Sequence, residues 1–351
     1  QTIIGFFNIY LIYKIALLFN KNISYLVICL SLLSVNLINT STFILTEAIF
    51  FTFYLYFLYY FIKCVLRENI KFKDNLKNII LSAVFLALAT LTKPISIYFM
   101  VVLPLVFLKK EIFSKKIFSI ILFVLIYSLV VSPWNFRNLN YFGVYKLSSS
   151  IADNLNGYYL PYIVANDSKI SLIDAKNIIN NDENLQKLDS KDEENKKKYF
   201  FKKIKEVKIT SILESWIEGG LKYILAPAMI ETYYNLNIEK TSFSNIQSIS
   251  FIKQVGIFIF KNENKIFGYI VIISIFLGLI TKLLMCNYLI KTYKKNIFLN
   301  TLLFTLLFLN LAIVGPLGSA RYRLVLEPFF IIYTALSINY FFTKFKLFNS
   351  Y

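Results

Sequence analysis

The sequence predicts an all-α integral membrane protein: a polytopic bundle of about nine transmembrane helices with an extracytoplasmic helical segment. Three observations carry that prediction. Hydrophobic residues make up 57% of the 351 residues and charged residues only 17%, with a mean hydropathy of +0.59, which leaves too little polar surface to cover a water-soluble core. Several apolar runs approach the roughly 20 residues that cross a hydrocarbon core as a helix, and the alternation of barrel strands about 10 residues long is absent. Most lysines fall in short clusters between apolar runs, as in cytoplasmic loops facing anionic lipid, so the net charge of +18 does not argue for nucleic acid.

The first apolar segment, Thr2 to Phe19, begins directly after Gln1, with neither a methionine nor the layout of a signal peptide, so the chain reads as a fragment lacking its N-terminal part. Ile23 to Ile38 and Phe43 to Ile62 follow as helices two and three. Asn78 to Leu91 reads as a short fourth helix of about 21 Å at 1.5 Å per residue. Ile95 to Leu108 and Lys116 to Val131 are the fifth and sixth, and Ile266 to Leu284, Ile297 to Val314 and Leu324 to Phe342 complete the set. Basic residues crowd Lys63 to Lys77, Lys109 to Lys116, Lys291 to Lys295 and the C-terminal end, which the positive-inside rule assigns to the cytoplasm. Alternation then puts the Thr92-Lys93-Pro94 turn, the long stretch after Val131 and Gly315 to Arg323 on the opposite side.

The expected organisation is therefore N-terminal transmembrane helices over 1–131, an extracytoplasmic loop with soluble and interfacial helices over 132–265, and C-terminal transmembrane helices over 266–351. Within the loop, lysines and carboxylates nearly balance from Asp167 to Lys208, as on a solvated helical stretch that runs back to the membrane surface. Ile212 to Tyr234 and Phe251 to Phe260 are apolar but short or broken, as interfacial segments are.

Polar residues gather on one expected face. Glu47 opens the third helix and Lys93 sits at the junction of the fourth and fifth. Trp134, Asn135, Arg137 and Asn138 lie just past the sixth, and Arg321 and Arg323 precede the last. Several have a plain structural reading: Glu47 as a helix N-terminal acid, Lys93 snorkelling to headgroups, Trp134 in an aromatic belt. The two arginines are harder to explain that way, because outward loops disfavour positive charge. The guanidinium fork matches phosphate oxygens, so Lys93, Arg137, Arg321 and Arg323 together suit a phosphate at the membrane surface, most simply a lipid headgroup such as polyprenyl phosphate. The chain has no histidine, and Cys29, Cys64 and Cys286 form no metal or disulfide pattern. No metal site is expected.

The stretches "LTEAIFFTFYLYFLYYFIK", "LALATLTKPISIYF", "SPWNFRNLNYFGVYKLSSSIADNLN" and "GSARYRLVLEPF" resemble, in this order, the GT-C superfamily of membrane glycosyltransferases, in particular the family of protein O-mannosyltransferases and bacterial aminoarabinose and lipopolysaccharide-core sugar transferases. The resemblance implies transfer of a sugar, with inversion, from a polyprenyl-phosphate donor to a glycan, lipid or protein acceptor on the extracytoplasmic face of a bacterial inner (plasma) membrane. It implies donor-phosphate contacts by Lys93, Arg321 and Arg323 with Arg137 nearby, and a pocket shaped by Glu47, Trp134, Asn138 and Asp153. No cofactor is required; a divalent metal would be compatible, but no residue pattern indicates one. Such enzymes carry their catalytic acid in the first extracytoplasmic loop, which is expected upstream of Gln1. The catalytic residue is thus unassigned, and these 351 residues alone are expected to show no transfer. The competing reading is a transporter or flippase of a lipid-linked or anionic substrate, which usually places its charges at the bilayer midplane on repeated halves.

Overall fold

The computed structural model describes residues 1–42, 46–66, 72–108, 113–148, 150–188, 192–226, 228, 265–294 and 296–348. Among them every regular element is helical. Among the described residues seven helices are long and apolar enough to cross a membrane. The chain is an all-α, polytopic membrane protein.

The elements follow the sequence closely, with instructive differences. Helix α1 is Thr2–Phe19. The second expected span is two helices, α2 (Ser24–Leu32) and α3 (Val35–Thr42), bent by 61°. The break falls at Leu33 and Ser34, just before a polar run in α3 that holds Asn36, Asn39, Thr40, Ser41 and Thr42, where Thr40 Oγ1 bonds back to Asn36 O at 2.7 Å. Helix α4 is Glu47–Leu66, and α5 is Phe72–Thr92. The latter is longer than the expected Asn78 to Leu91, because hydropathy marks where lipid begins and a helix continues through polar turns.

The fifth apolar segment, Pro94–Leu108, winds as a 3-10 run with Pro104 inside. Fifteen residues would reach only about 22 Å as an α-helix, but at a 3-10 rise near 2.0 Å they extend about 30 Å, the thickness of a hydrocarbon core. Helix α6, Phe113–Phe142, does not end at Val131. It continues for three more turns, carrying Trp134 to Asn138 within the helix and not beyond it. Pro133 cannot give its amide to Leu129 O, and Ser132 Oγ takes that carbonyl at 3.2 Å instead.

Short helices follow: α7 (Ile151–Asn154), a π turn at Leu155–Tyr159, α8 (Leu160–Ser168), α9 (Leu172–Asn180), α10 (Glu183–Gln186), α11 (Glu193–Glu206) and α12 (Ile209–Leu225). The expected interfacial segment Phe251 to Phe260, and the end of Ile212 to Tyr234, lie outside the described residues. Three long helices close the chain: α13 (Lys265–Thr292), α14 (Ile297–Val314) and α15 (Glu327–Phe348).

Two compact units emerge: Gln1–Leu147 with Leu279–Leu309 and Leu324–Tyr351, and Ser148–Gly278 with Asn310–Arg323. In the first, α4 packs on α1 and α5, and α5 on α6. Its core holds Ile12, Tyr54, Phe57, Leu58, Leu86, Phe329 and Tyr333, all nearly inaccessible. Apolar contact gives little drive between helices already in lipid, so polar links add specificity, each worth about 0.6 kcal/mol. Asn8 Nδ2 donates to Ala48 O (3.3 Å), Thr52 Oγ1 to Asn8 Oδ1 (2.8 Å) and Tyr54 OH to Val325 O (3.0 Å). The second unit closes over Leu160, Ile179, Tyr199 and Phe200.

Candidate functional site

Within the first unit, the start of α4 meets the end of α5. Glu47 is the first residue of α4 and Lys93 the residue after α5, and Lys93 Nζ lies 2.6 Å from Glu47 Oε1. Each charge sits at the helix end whose dipole favours it. The Glu47 carboxylate is buried and the lysine partly so, and Nζ also lies 5.6 Å from the Phe50 ring centroid. The sequence placed both residues on one face and gave each a separate role; the structure joins them in one ion pair.

The extension of α6 forms a second cluster in the same unit. The exposed Arg137 stacks over Trp134 at 4.6 Å, with Tyr141 and Phe142 at 5.5 and 5.7 Å, and donates from Nη1 to Asn138 Oδ1 at 3.0 Å. Asn138 Nδ2 donates to Lys146 O at 2.7 Å and Trp134 Nε1 to Leu147 O at 3.4 Å. These two bonds fold the chain after α6 back along the helix. They leave the exposed Arg137 guanidinium over the indole.

In the second unit, Arg321 and Arg323 ride on a 3-10 turn, Ala320–Leu326. Arg321 is half-buried. Arg323 is buried, and its Nη1 donates to Tyr223 O (2.9 Å), Ile224 O (2.8 Å) and Ala226 O (2.9 Å) at the end of α12. Those carbonyls belong to the last turn, where a helix lacks its own donors, so the guanidinium caps α12 and sits at the negative end of its dipole. No spacing in the sequence announces this contact, which joins residues about a hundred positions apart. Asp153, exposed on α7, pairs with Lys196 at 2.8 Å.

A further polar cluster of the first unit joins Glu327, Asn36 and Ser34. Glu327, the first residue of α15, accepts from Asn36 Nδ2 at 3.2 Å and Ser34 Oγ at 3.4 Å, at the break between α2 and α3. A polar break inside an apolar span was the available signal. Among the described residues no three His, Cys, Asp or Glu side chains gather as a metal site.

These features define a polytopic helical membrane protein whose ionisable groups pair at helix ends. Residues 1–135 match the model of the dolichyl-phosphate-mannose-protein mannosyltransferase family. The matched part runs from α1 into the extension of α6 and contains Glu47, Lys93 and Trp134; Arg137, Arg321 and Arg323 lie beyond it. Neither the curated proteins nor the solved structures compared give a match.

Proposed function

We propose that the chain is a membrane glycosyltransferase that takes a sugar from a polyprenyl-phosphate donor and passes it, with inversion, to an acceptor on the extracytoplasmic face. The observation that carries this reading is the family match over residues 1–135, with the Glu47–Lys93 pair inside it. Breaking a sugar–phosphate bond puts negative charge on the leaving phosphate, and cations already in place stabilise it without a metal. Lys93, Arg137, Arg321 and Arg323 are the proposed donor-phosphate residues. In that role Glu47 holds the Lys93 ammonium in place, and the carbonyls of α12 hold the Arg323 guanidinium. Glu47, Trp134, Asn138 and Asp153 are the proposed pocket residues, and no residue of the chain is assigned as the base.

Donor binding tests the reading directly. The purified chain should hold a polyprenyl phosphate more tightly than the uncharged polyprenol of the same length. Equal binding of the two would remove the phosphate site.

A further inference from the structure

Helix α12 is amphipathic the wrong way round for a water-exposed domain. Its side chains at Ile209, Leu213, Ile217 and Leu221 are 75%, 57%, 62% and 50% exposed, while Ser211, Ser215, Gly219 and Tyr223 are buried. At 100° per residue, the four aliphatics span an arc of roughly 120°, with Glu214 and Glu218 at its edge. The helix therefore has three sectors: small residues against the protein, carboxylates toward water, and an aliphatic stripe that stands exposed among the described residues.

The small-residue sector is specifically matched. Ser211 Oγ donates to Asp167 Oδ1 at 2.8 Å and Asn166 Nδ2 to Ser215 Oγ at 2.9 Å. At Gly219 an added Cβ would collide with Gly315 O, and at Gly220 one would stand 3.5 Å from a Leu311 methyl. Leu311 and Gly315 belong to the last turns of the apolar span Ile297–Leu317. Helix α12 thus lies against the last turns of a helix long and apolar enough to cross a membrane. Just before it, Lys202, Lys205 and Lys208 are exposed beside Phe201, an arrangement complementary to lipid phosphate.

We infer that α12 docks on the bilayer along its length, with Ile209, Leu213, Ile217 and Leu221 in the acyl region and Glu214 and Glu218 in water. The occupant of the stripe is lipid. The inference stands apart from the transferase reading, because it rests on neither the donor nor the chemistry.

The test places p-benzoylphenylalanine, singly, at Leu213, Ile217, Glu214 or Glu218 of the full chain in vesicles of phosphatidylethanolamine and phosphatidylglycerol. Irradiated products are then identified by mass spectrometry. Lipid adducts should be at least several-fold more abundant at 213 and 217 than at 214 and 218. Equal yields at the four positions, no lipid adduct at 213 and 217, or adducts there to protein (a second copy or residues 229–264 of the same chain) would each overturn the inference. Leu221 gives the same readout should the bulky side chain stop folding at either of the first two positions.

Discussion

Lys93 Nζ rests 2.6 Å from Glu47 Oε1, joining the positive end of α4 to the negative end of α5. A pair this sheltered contributes little over an apolar pair of the same shape, but removing one partner strands the other charge, at a cost of about 3 kcal/mol. Lys93→Met and Glu47→Gln should each lower the unfolding midpoint in detergent, and the double variant should recover most of the loss. Additive losses would mean that the two side chains do not act as a pair.

Gly219 meets Gly315 O and Pro316 Cα, backbone atoms that cannot swing away. Gly219→Ala should therefore destabilise the second unit by several times the roughly 1 kcal/mol that alanine usually gains over glycine within a helix. Gly157→Ala, with nothing within 4 Å of its added methyl, should be neutral or stabilising. Thermal unfolding of both variants compares them, and equal effects would refute the close approach.

Arg323 caps α12, so Arg323→Ala should leave buried carbonyls unpaired, at about 1–3 kcal/mol, and should speed hydrogen exchange at the helix C-terminus. Alanine at both arginines, the obvious test of a phosphate site, would thus mix loss of binding with loss of structure. Arg321→Ala is the cleaner variant, and exchange across 218–226 should stay as in the parent chain.

Asp182 caps α10 in the second unit. Desolvation pushes its carboxyl up, but the bonds from Tyr199 OH (2.8 Å), the Asn184 amide (2.9 Å) and Lys203 Nζ (3.1 Å) outweigh it and hold the pKa at about 2, below the usual 3.8. With the folded value depressed, the contribution is complete above about pH 4 and disappears as pH falls through 2. Unfolding monitored from pH 6 to pH 2 should show an acid-labile step that Asp182→Asn removes, on the order of 1 kcal/mol in size. A variant with an unchanged acid limb would contradict it.

Much of the fold was legible because lipid imposes one simple demand, a long apolar helix, and among the described residues the expected segments fall on helical elements, the second of them on two helices with a sharp bend between. Hydropathy could not show where helices end: α6 runs on through Pro133 to Phe142, and α5 starts before its apolar part. Nor could it show that Pro94–Leu108 is a 3-10 run. In the candidate site, Glu47 and Lys93 stand out in the sequence as isolated charges, but their pairing depends on two helix ends meeting, and the Arg323 cap depends on a contact a hundred residues away. Side-chain type and local spacing carry neither.

Native mass spectrometry of the detergent-purified chain would read out whether it holds the phosphate of a polyprenyl lipid. One polyprenyl phosphate should be bound per chain, with weak retention of the polyprenol and at least a tenfold loss, about 1.4 kcal/mol, in Lys93→Ala and in Arg321→Ala. Equal retention of alcohol and phosphate, or phosphate binding untouched by both substitutions, would contradict it.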